Sequence, residues 1–426
     1  MMSENKRTLI IKKSISKLGS TGFFHVFGTT AMNKIISFAS GIILVRLISK
    51  SEYGVFSYAN NLLNLFMIAC GFGAASGILQ MCSERREEQE KRQLYTYASR
   101  SSFLANCCLG ACILFVAFFV PLKIEGANRC LGMMAFLPIF SYTYEMQVFY
   151  LRTQRRNKEY SYANTFSTLV IFLLSCCLSY FFSITGLVAA KYISFTLSAL
   201  FILWRFRVEY PITKKAQVSP EIKKQFWSIS MISMLNNGVS SLMYLLDIFV
   251  LGIVVPDSMI IASYRIATTI PTALAFIPAA VITYIYPYFA QKKEDKHWVL
   301  RRYFQITAVL GIGSAAIATF MFFFAPSIIR LVFGSAYVDC VPAFRILSLS
   351  FALSSTFRIL PGNILVTQRK LKFNLFVAFL SSAINTALNV VMINAYGAVG
   401  AACATIITVA ISSVLNVYYL IRVLKT

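Results

Sequence analysis

The sequence predicts an all-α polytopic membrane protein with about twelve transmembrane helices in two six-helix lobes. Three observations predict it. Of 426 residues, 58% are apolar and 13% are charged, against roughly 25% charged in a soluble domain, so the chain has too little polar surface to face water. The apolar blocks are continuous and reach the ~20 residues that a helix needs to cross a bilayer, unlike the short alternating segments of a membrane barrel. The net charge of +24 falls in every second gap between those blocks. A nucleic-acid binder would gather such charge on one face or stripe. Alternation between apolar blocks is the positive-inside pattern.

Taken in order, residues 1–22 form a basic segment containing Lys6 to Lys17. The first apolar block is too long for a signal h-region and reads as an anchor that stays. Spans 1 to 6 are expected at 23–48, 55–80, 100–121, 130–150, 162–183 and 186–206, making an N-lobe over 23–206. Residues 207–225, with Pro211 and Pro220, form the longest basic gap and read as a linker. Spans 7 to 12 follow at 226–253, 258–288, 303–325, 340–363, 373–394 and 397–420, in a C-lobe over 226–426. Every backbone group in lipid must be paired internally, which makes helices the default. Both termini and the gaps after spans 2, 4, 6, 8 and 10 hold 30 of the 40 Lys and Arg residues. The opposite gaps hold only Arg46, Lys50, Lys123, Arg129 and Arg330. That asymmetry places both termini in the cytoplasm, with the chain in the cytoplasmic (inner) membrane. Tyr53-Gly-Val-Phe-Ser-Tyr-Ala59 echoes Ile261-Ala-Ser-Tyr-Arg-Ile-Ala267 half a chain away. The echo suggests parallel repeats with a cavity between them.

Enzymatic motifs are missing. The two histidines, His25 and His297, have no carboxylate at catalytic spacing, and no Walker loop, HExxH or GxSxG occurs. The ten cysteines lie almost entirely within apolar blocks and read as small buried hydrophobes, not metal ligands or disulfides. Gly71-Phe-Gly73 reads as a packing feature inside span 2. No cofactor, metal or nucleic-acid partner is expected, and a transporter is favoured over an enzyme.

Ionisable residues inside spans carry the functional signal, since each costs at least ~2.5 kcal/mol at the bilayer centre unless paired or hydrated. The basic ones are Lys34, Lys191, Arg265, Arg345 and Arg358, and the acidic ones are Asp247 and Glu145. Lys34 lies about 16 Å into span 1 at 1.5 Å per residue. Asp247 and Arg265 flank the turn at Val254 to Ser258, each roughly 10 Å deep, and are placed to pair across the span 7–8 hairpin or to serve coupling. Lys191, Arg345, Arg358 and Glu145 sit near span ends, within snorkelling reach. The basic excess favours a cationic cavity for an anionic substrate. Asn33, Asn60, Asn61, Asn64, Asn236, Asn237, Asn385 and Asn389 add amides that suit sugar hydroxyls or act as interhelical glue. Lys34, Arg265, Asn33, Asn236, Asn237, Lys191 and Arg345 are the candidate substrate-binding set, with Asp247 the candidate coupling or ion-pair residue.

Several segments resemble a known family. Arg46-Leu-Ile-Ser-Lys-Ser-Glu-Tyr-Gly54 resembles the turn after helix 1 in polysaccharide flippases of the Wzx type, members of the MOP superfamily with the MATE exporters and the lipid II flippase. Gly71-Phe-Gly-Ala-Ala-Ser-Gly77 is similar to the family's small-residue end of helix 2, and Leu246-Asp-Ile-Phe-Val-Leu-Gly252 to its helix 7 motif. Phe333-Gly-Ser-Ala-Tyr337 with Phe344-Arg-Ile-Leu347 resembles the entry to helix 10. Asn385-Thr-Ala-Leu-Asn389 with Tyr396-Gly-Ala-Val-Gly-Ala-Ala-Cys-Ala-Thr405 resembles the helix 11–12 hairpin. The resemblance implies a MATE-like fold and a flippase that carries an undecaprenyl-diphosphate-linked oligosaccharide outward by alternating access. Lys34 and Arg265 would meet the diphosphate. The partners implied are the lipid-linked oligosaccharide, membrane lipid, a polysaccharide polymerase and a chain-length regulator. A cation-coupled multidrug antiporter on the same fold is the alternative, and a membrane glycosyltransferase or polymerase the second.

Overall fold

In a computed structural model the described residues are 23–84, 87–206 and 218–425, and they form helices and no strand. The basic segment 1–22, Arg85 and Arg86, and most of the 207–225 linker lie outside the described residues. The helices are α1 (Phe23–Leu47), α2 (Lys50–Met67), α3 (Ala74–Ser83), α4 (Glu88–Phe119), α5 (Ala127–Met133), α6 (Leu137–Thr153), α7 (Asn157–Phe206) and α8 (Pro220–Val254). They continue with α9 (Ser258–Leu274), α10 (Phe276–Gln291), α11 (Lys296–Phe323), α12 (Ala325–Val332), α13 (Val341–Leu353), α14 (Leu360–Thr367) and α15 (Leu371–Lys425). Among the described residues seven helices, or eight if the bent pair α2–α3 counts as one, are long and apolar enough to cross a membrane. The 50-residue α7 and the 55-residue α15 are each interrupted by one non-helical residue, Ser183 and Gly397. Each therefore holds two spans, and the arrangement is consistent with twelve.

Burial is inverted relative to a soluble fold. The buried positions of α7 include Ser161, Ala163, Ser167, Ser175, Ser179, Gly186, Ser194 and Ser198, whereas Leu173, Tyr180, Phe181, Phe182 and Trp204 are exposed. In lipid, helices associate through close packing of small residues and through hydrogen bonds, since large apolar side chains are as well solvated outside as inside. The cysteines follow the same rule. None is paired among the described residues, and Cys108, Cys112 and Cys177 sit on exposed helix faces. The expectation of uniformly buried cysteines is corrected for these three, which belong to apolar outer surfaces.

Two compact units emerge, and they cut across the two sequence halves. Of the described residues, the first holds those within 23–48, 66–118 and 132–235, and the second those within 49–65, 119–131 and 236–425. In the first, Ile78, Met81, Tyr95, Tyr142 and Phe226 form one core cluster, and Tyr144, Val148, Leu151, Ala163 and Ile202 another. In the second, Phe289, Val299, Tyr303, Leu360 and Leu420 pack together.

Three local features differ from the expected spans. Gly71-Phe-Gly73 does not continue span 2. Gly71, Phe72 and Gly73 take φ of 53°, 48° and 74°, and the chain bends by 41°. The motif still packs tightly, since a Cβ on Gly71 would lie 2.4 Å from the Tyr142 ring and one on Gly73 2.3 Å from the Ser230 carbonyl oxygen. Glu145 is not near a helix end. It is the central residue of α6, about 12 Å from Thr153 at 1.5 Å per residue, beyond the snorkelling reach expected for it. Ser183 (φ 50°, ψ −126°) and Gly397 (φ 56°, ψ −132°) turn the chain back with one residue each. Three residues on, a Cβ at Gly186 would lie 2.0 Å from the Leu178 carbonyl oxygen and one at Gly400 2.0 Å from that of Met392. The same hairpin is thus built once in each half of the sequence, the second time with the residue that the left-handed turn favours. Ser183→Gly is expected to raise stability by about 0.5–1 kcal/mol and Gly397→Ala to lower it by about 1–2 kcal/mol. Thermal unfolding in detergent checks both.

Candidate functional site

The most connected polar group in the second unit is Asp247, on α8 and 3% exposed. Its Oδ1 accepts from Asn389 Nδ2 at 2.7 Å. Its Oδ2 accepts from Tyr264 Oη at 3.0 Å and Thr405 Oγ1 at 2.9 Å. Asn389 Nδ2 also donates to Asn385 Oδ1 at 3.0 Å. The hairpin at Gly397 explains the meeting. Asn389 and Thr405 each lie eight residues from that turn, so the two arms of α15 bring them to one depth. Asn385 follows one turn away. Burying a carboxylate without partners would be prohibitive, and three donors from α9 and α15 offset that cost. Two buried atoms of the cluster, Asn389 Oδ1 and Asn385 Nδ2, have no hydrogen-bond partner among the described residues.

Asp247 forms one wall of a cavity of about 300 Å³ bounded by α8, α9, α13, the π-turn at 354–359 and α15. Arg265 lines it together with Thr268, Thr272, Ser350 and Ser354. Among the described residues no carboxylate pairs with Arg265. The expected Asp247–Arg265 ion pair is therefore corrected. Both residues line one cavity, but Asp247 is held by neutral donors and the guanidinium pairs with no described carboxylate. Such a chamber, with a cation that no carboxylate pairs among the described residues, several hydroxyls and a satisfied carboxylate, suits an anion carrying hydrogen-bonding groups. It sits at the small end of the ~300–1,000 Å³ range of ligand pockets, enough for a headgroup portion and not for a whole oligosaccharide.

The other candidates are placed separately. Lys34 is exposed on α1, in the first unit, and Asn33 beside it buries an unpartnered Oδ1. Lys191 is partly buried in α7 and has a partner in the fold. Asn236 and Asn237 are exposed on α8, and Asn236 is also engaged. Arg345 donates from Nε to the Phe322 carbonyl at 3.0 Å and lies over the Phe322 ring at 5.2 Å. It ties α13 to α11 and does not line the Arg265 cavity. Tyr264, Thr268 and the hydroxyls of α13 escaped the sequence reading, because serine and threonine in a span are usually back-bonded to their own helix. No group of three His, Cys, Asp or Glu side chains that could hold a metal occurs among the described residues.

A second feature of the same unit is a seam between α2 and the 236–426 segment. Lys50 Nζ contacts both Asp339 oxygens at 2.8 and 2.9 Å and the Ala336 carbonyl at 2.9 Å, and Ser263 Oγ donates to Asp339 at 2.7 Å. Ser51 and Ser258 share a hydrogen bond of 2.9 Å, and Asn61 Nδ2 donates to the Leu245 carbonyl at 2.8 Å. Between them the backbones touch. A Cβ on Gly54 would lie 1.8 Å from the Ser258 carbonyl oxygen, and one on Gly252 2.1 Å from the Tyr58 ring.

A family model described as polysaccharide biosynthesis protein matches residues 43–342. Curated protein sequences contain no match. Among solved structures, the chain is similar to an inward-facing multidrug resistance MATE family transporter of the MOP superfamily, with TM-score 0.74, 15% identity, and 92% of this chain and 95% of that one covered. It is similar to the lipid II flippase MurJ in an inward closed conformation, with TM-score 0.69, 16% identity, and 94% and 87% covered. A MOP superfamily transporter from Pyrococcus furiosus, described as having a binding pocket of reverse polarity, aligns with TM-score 0.56 at 16% identity over 97% of each chain.

Proposed function

Because the chain belongs to the polysaccharide biosynthesis protein family, Wzx-like flippases of the MOP superfamily, we propose that it flips an undecaprenyl-diphosphate-linked oligosaccharide across the cytoplasmic membrane for surface polysaccharide synthesis. Both termini lie in the cytoplasm in this reading, and the product passes to a polymerase with its chain-length regulator. The chain binds and moves its substrate and catalyses no bond change. The observation that carries the substrate class is Arg265, paired with no described carboxylate, in a hydroxyl-lined cavity. A diphosphate cannot enter lipid without counter-charge, and a guanidinium binds phosphate oxygens in a bidentate, charge-assisted manner. Lys34 supplies a second cation from α1. Lys191, Arg345, Asn33, Asn236 and Asn237 complete the proposed contact set in other states of the cycle. Alternating access moves the headgroup while the prenyl tail stays in lipid.

Asp247 is the proposed coupling group. Its cluster can release one donor and accept a proton or a small monovalent cation, because turning the Asn389 amide would offer Oδ1 in place of Nδ2. The satisfied state of this carboxylate argues against the multidrug antiporter reading, in which a free acid would hold a cationic drug. Arg265→Ala is expected to cut export of labelled oligosaccharide roughly 10- to 100-fold, the worth of a lost charge-assisted hydrogen bond. Arg265→Lys recovers part of it and Lys34→Ala gives a smaller loss. Drug susceptibility is unchanged in all three. Normal export from stably inserted Arg265→Ala protein would overturn the cationic-cavity reading.

A further inference from the structure

The first unit contains its own intramembrane acid. Glu145 is partly buried at the centre of α6. Among the described residues it has no hydrogen bond and no basic partner, and it interacts electrostatically with Cys70, Tyr142 and Tyr144. Beside it lies the break in the α2–α3 span. Asn106 Oδ1 accepts from Gly71 N at 2.9 Å, Ser102 Oγ donates to the Gly71 carbonyl at 3.3 Å, and the Tyr142 ring covers Gly71. Asn106 is 0% and Tyr142 4% exposed, yet Asn106 Nδ2 and Tyr142 Oη make no hydrogen bond of normal geometry among the described residues, although the Cys70 thiol stands beside Asn106 and the Ser102 hydroxyl beside Tyr142. Two sealed donors and a carboxylate without a donor thus share one place. Buried polar groups are otherwise nearly always satisfied, and a bridging water that makes two to four hydrogen bonds resolves such a set.

One face of α4 carries polar groups toward that place. Tyr95, Ser99, Ser102 and Asn106 recur at spacings of four, three and four on α4, so they share one helix face. Ser99 Oγ is a further buried atom with no hydrogen bond of normal geometry, beside the Tyr95 hydroxyl, and Ser99 lines a shallow groove of about 390 Å³ with Thr96, Arg100 and Phe103. The stripe therefore runs from the groove to the break.

We propose that Glu145 is a proton-binding site of the first unit, hydrated through Asn106 and Tyr142 and reached along the α4 stripe. The carboxylate takes a proton from a hydronium ion on that stripe, leaving water and a neutral carboxylic acid, and returns it to water by the reverse step. Donors facing the site favour a hydrated proton over a metal cation, which the Asn106 amide nitrogen would repel. The titratable groups that face it are Cys70 from the break and Tyr142 and Tyr144 from α6 itself, and Tyr95 of α4 faces Tyr142. Tyr160 of α7 faces Tyr144, and Cys82 of α3 faces Tyr95. None is a base that would hold Glu145 permanently ionised. This proposal stands apart from the flippase reading and from Asp247.

Infrared difference spectra of the full-length protein between acid and alkaline pH test it without any transported substrate. A carboxylic-acid carbonyl component is expected to appear on acidification, to shift in heavy water, to persist in Asp247→Asn and to be lost in Glu145→Gln, while the components of Asp247 and the exposed carboxylates remain. Tyr142→Phe keeps the ring over Gly71 and removes only the hydroxyl. It is expected to raise the titration midpoint by about half a pH unit, roughly threefold in proton affinity. An unchanged spectrum in Glu145→Gln, or an unshifted midpoint in Tyr142→Phe, overturns the proposal.

Discussion

Gly54→Val is expected to reduce transport to background while leaving the protein inserted. The position has no room: a Cβ would stand 1.8 Å from the Ser258 carbonyl oxygen, and a backbone atom cannot swing aside as a side chain can. Relieving such overlap typically costs about 1–3 kcal/mol, and here the simplest relief is separation of α2 from the α8–α9 corner. Val at this position would thus favour conformations in which the seam is parted. Lys50→Ala, which removes the more conspicuous ion pair, is expected to do far less. Asp339 is half-exposed (52%), and exposed pairs are worth about 0–1 kcal/mol. A Ser258→Cys reporter checks the contrast. Its modification by a membrane-impermeant maleimide should be slow in the parent, fast with Gly54→Val and slightly raised with Lys50→Ala. Slow modification with Gly54→Val would show that the seam tolerates the side chain.

Asp247→Ala should be the most destabilising single change at the cavity. It leaves Tyr264, Thr405 and Asn389 without their shared acceptor, and each orphaned buried donor costs about 1–3 kcal/mol. Allowing for relaxation and entering water, a net loss of about 3–5 kcal/mol is expected, read as a fall in the detergent unfolding temperature and loss of export. Asp247→Asn separates the two roles. It keeps an acceptor for part of the cluster and so keeps most of the stability, but it cannot change charge. If Asp247 couples transport, Asp247→Asn folds and fails to drive export. Full export by Asp247→Asn would leave the residue a structural one.

The membrane architecture was legible because it rests on local signals. Apolar blocks of span length and basic gaps between them require no knowledge of tertiary contacts, and the boundaries near Ser183 and Gly397 fell within a few residues. Lys34, Asp247 and Arg265 stood out because charge in an apolar block is costly wherever the chain folds. Their relations to one another were not legible. Asp247 finds its partners 142 and 158 residues away, and nothing in the sequence announces that neutral amides and hydroxyls, rather than Arg265, will satisfy it. Gly71-Phe-Gly73 was visible as small residues but not as a break, since three consecutive left-handed residues, one of them Phe72, are held by Asn106, Ser102, Tyr142 and Ser230 from other helices. Glu145 was misplaced by a shift of three residues in one helix end. That shift separates a side chain that reaches the interface from one that cannot.

The single-residue turns at Ser183 and Gly397 bear on how the chain is made. Under the proposed topology both face the far side of the membrane, and neither carries a polar loop that must be pushed across the bilayer. The arms of each hairpin cannot be parted by more than a residue at the tip, so neither arm has an independent life in the insertion machinery. Spans 5 with 6, and 11 with 12, should enter the bilayer as paired objects, held back at their open ends by Arg152 to Lys158 and Arg205 for the first, and by Arg369 to Lys372 and Arg422 for the second. The ribosome then delivers α15 with its Asn389 and Thr405 already side by side. The polar half of the Asp247 cluster would be assembled at the moment of insertion, before the lobe around it has closed.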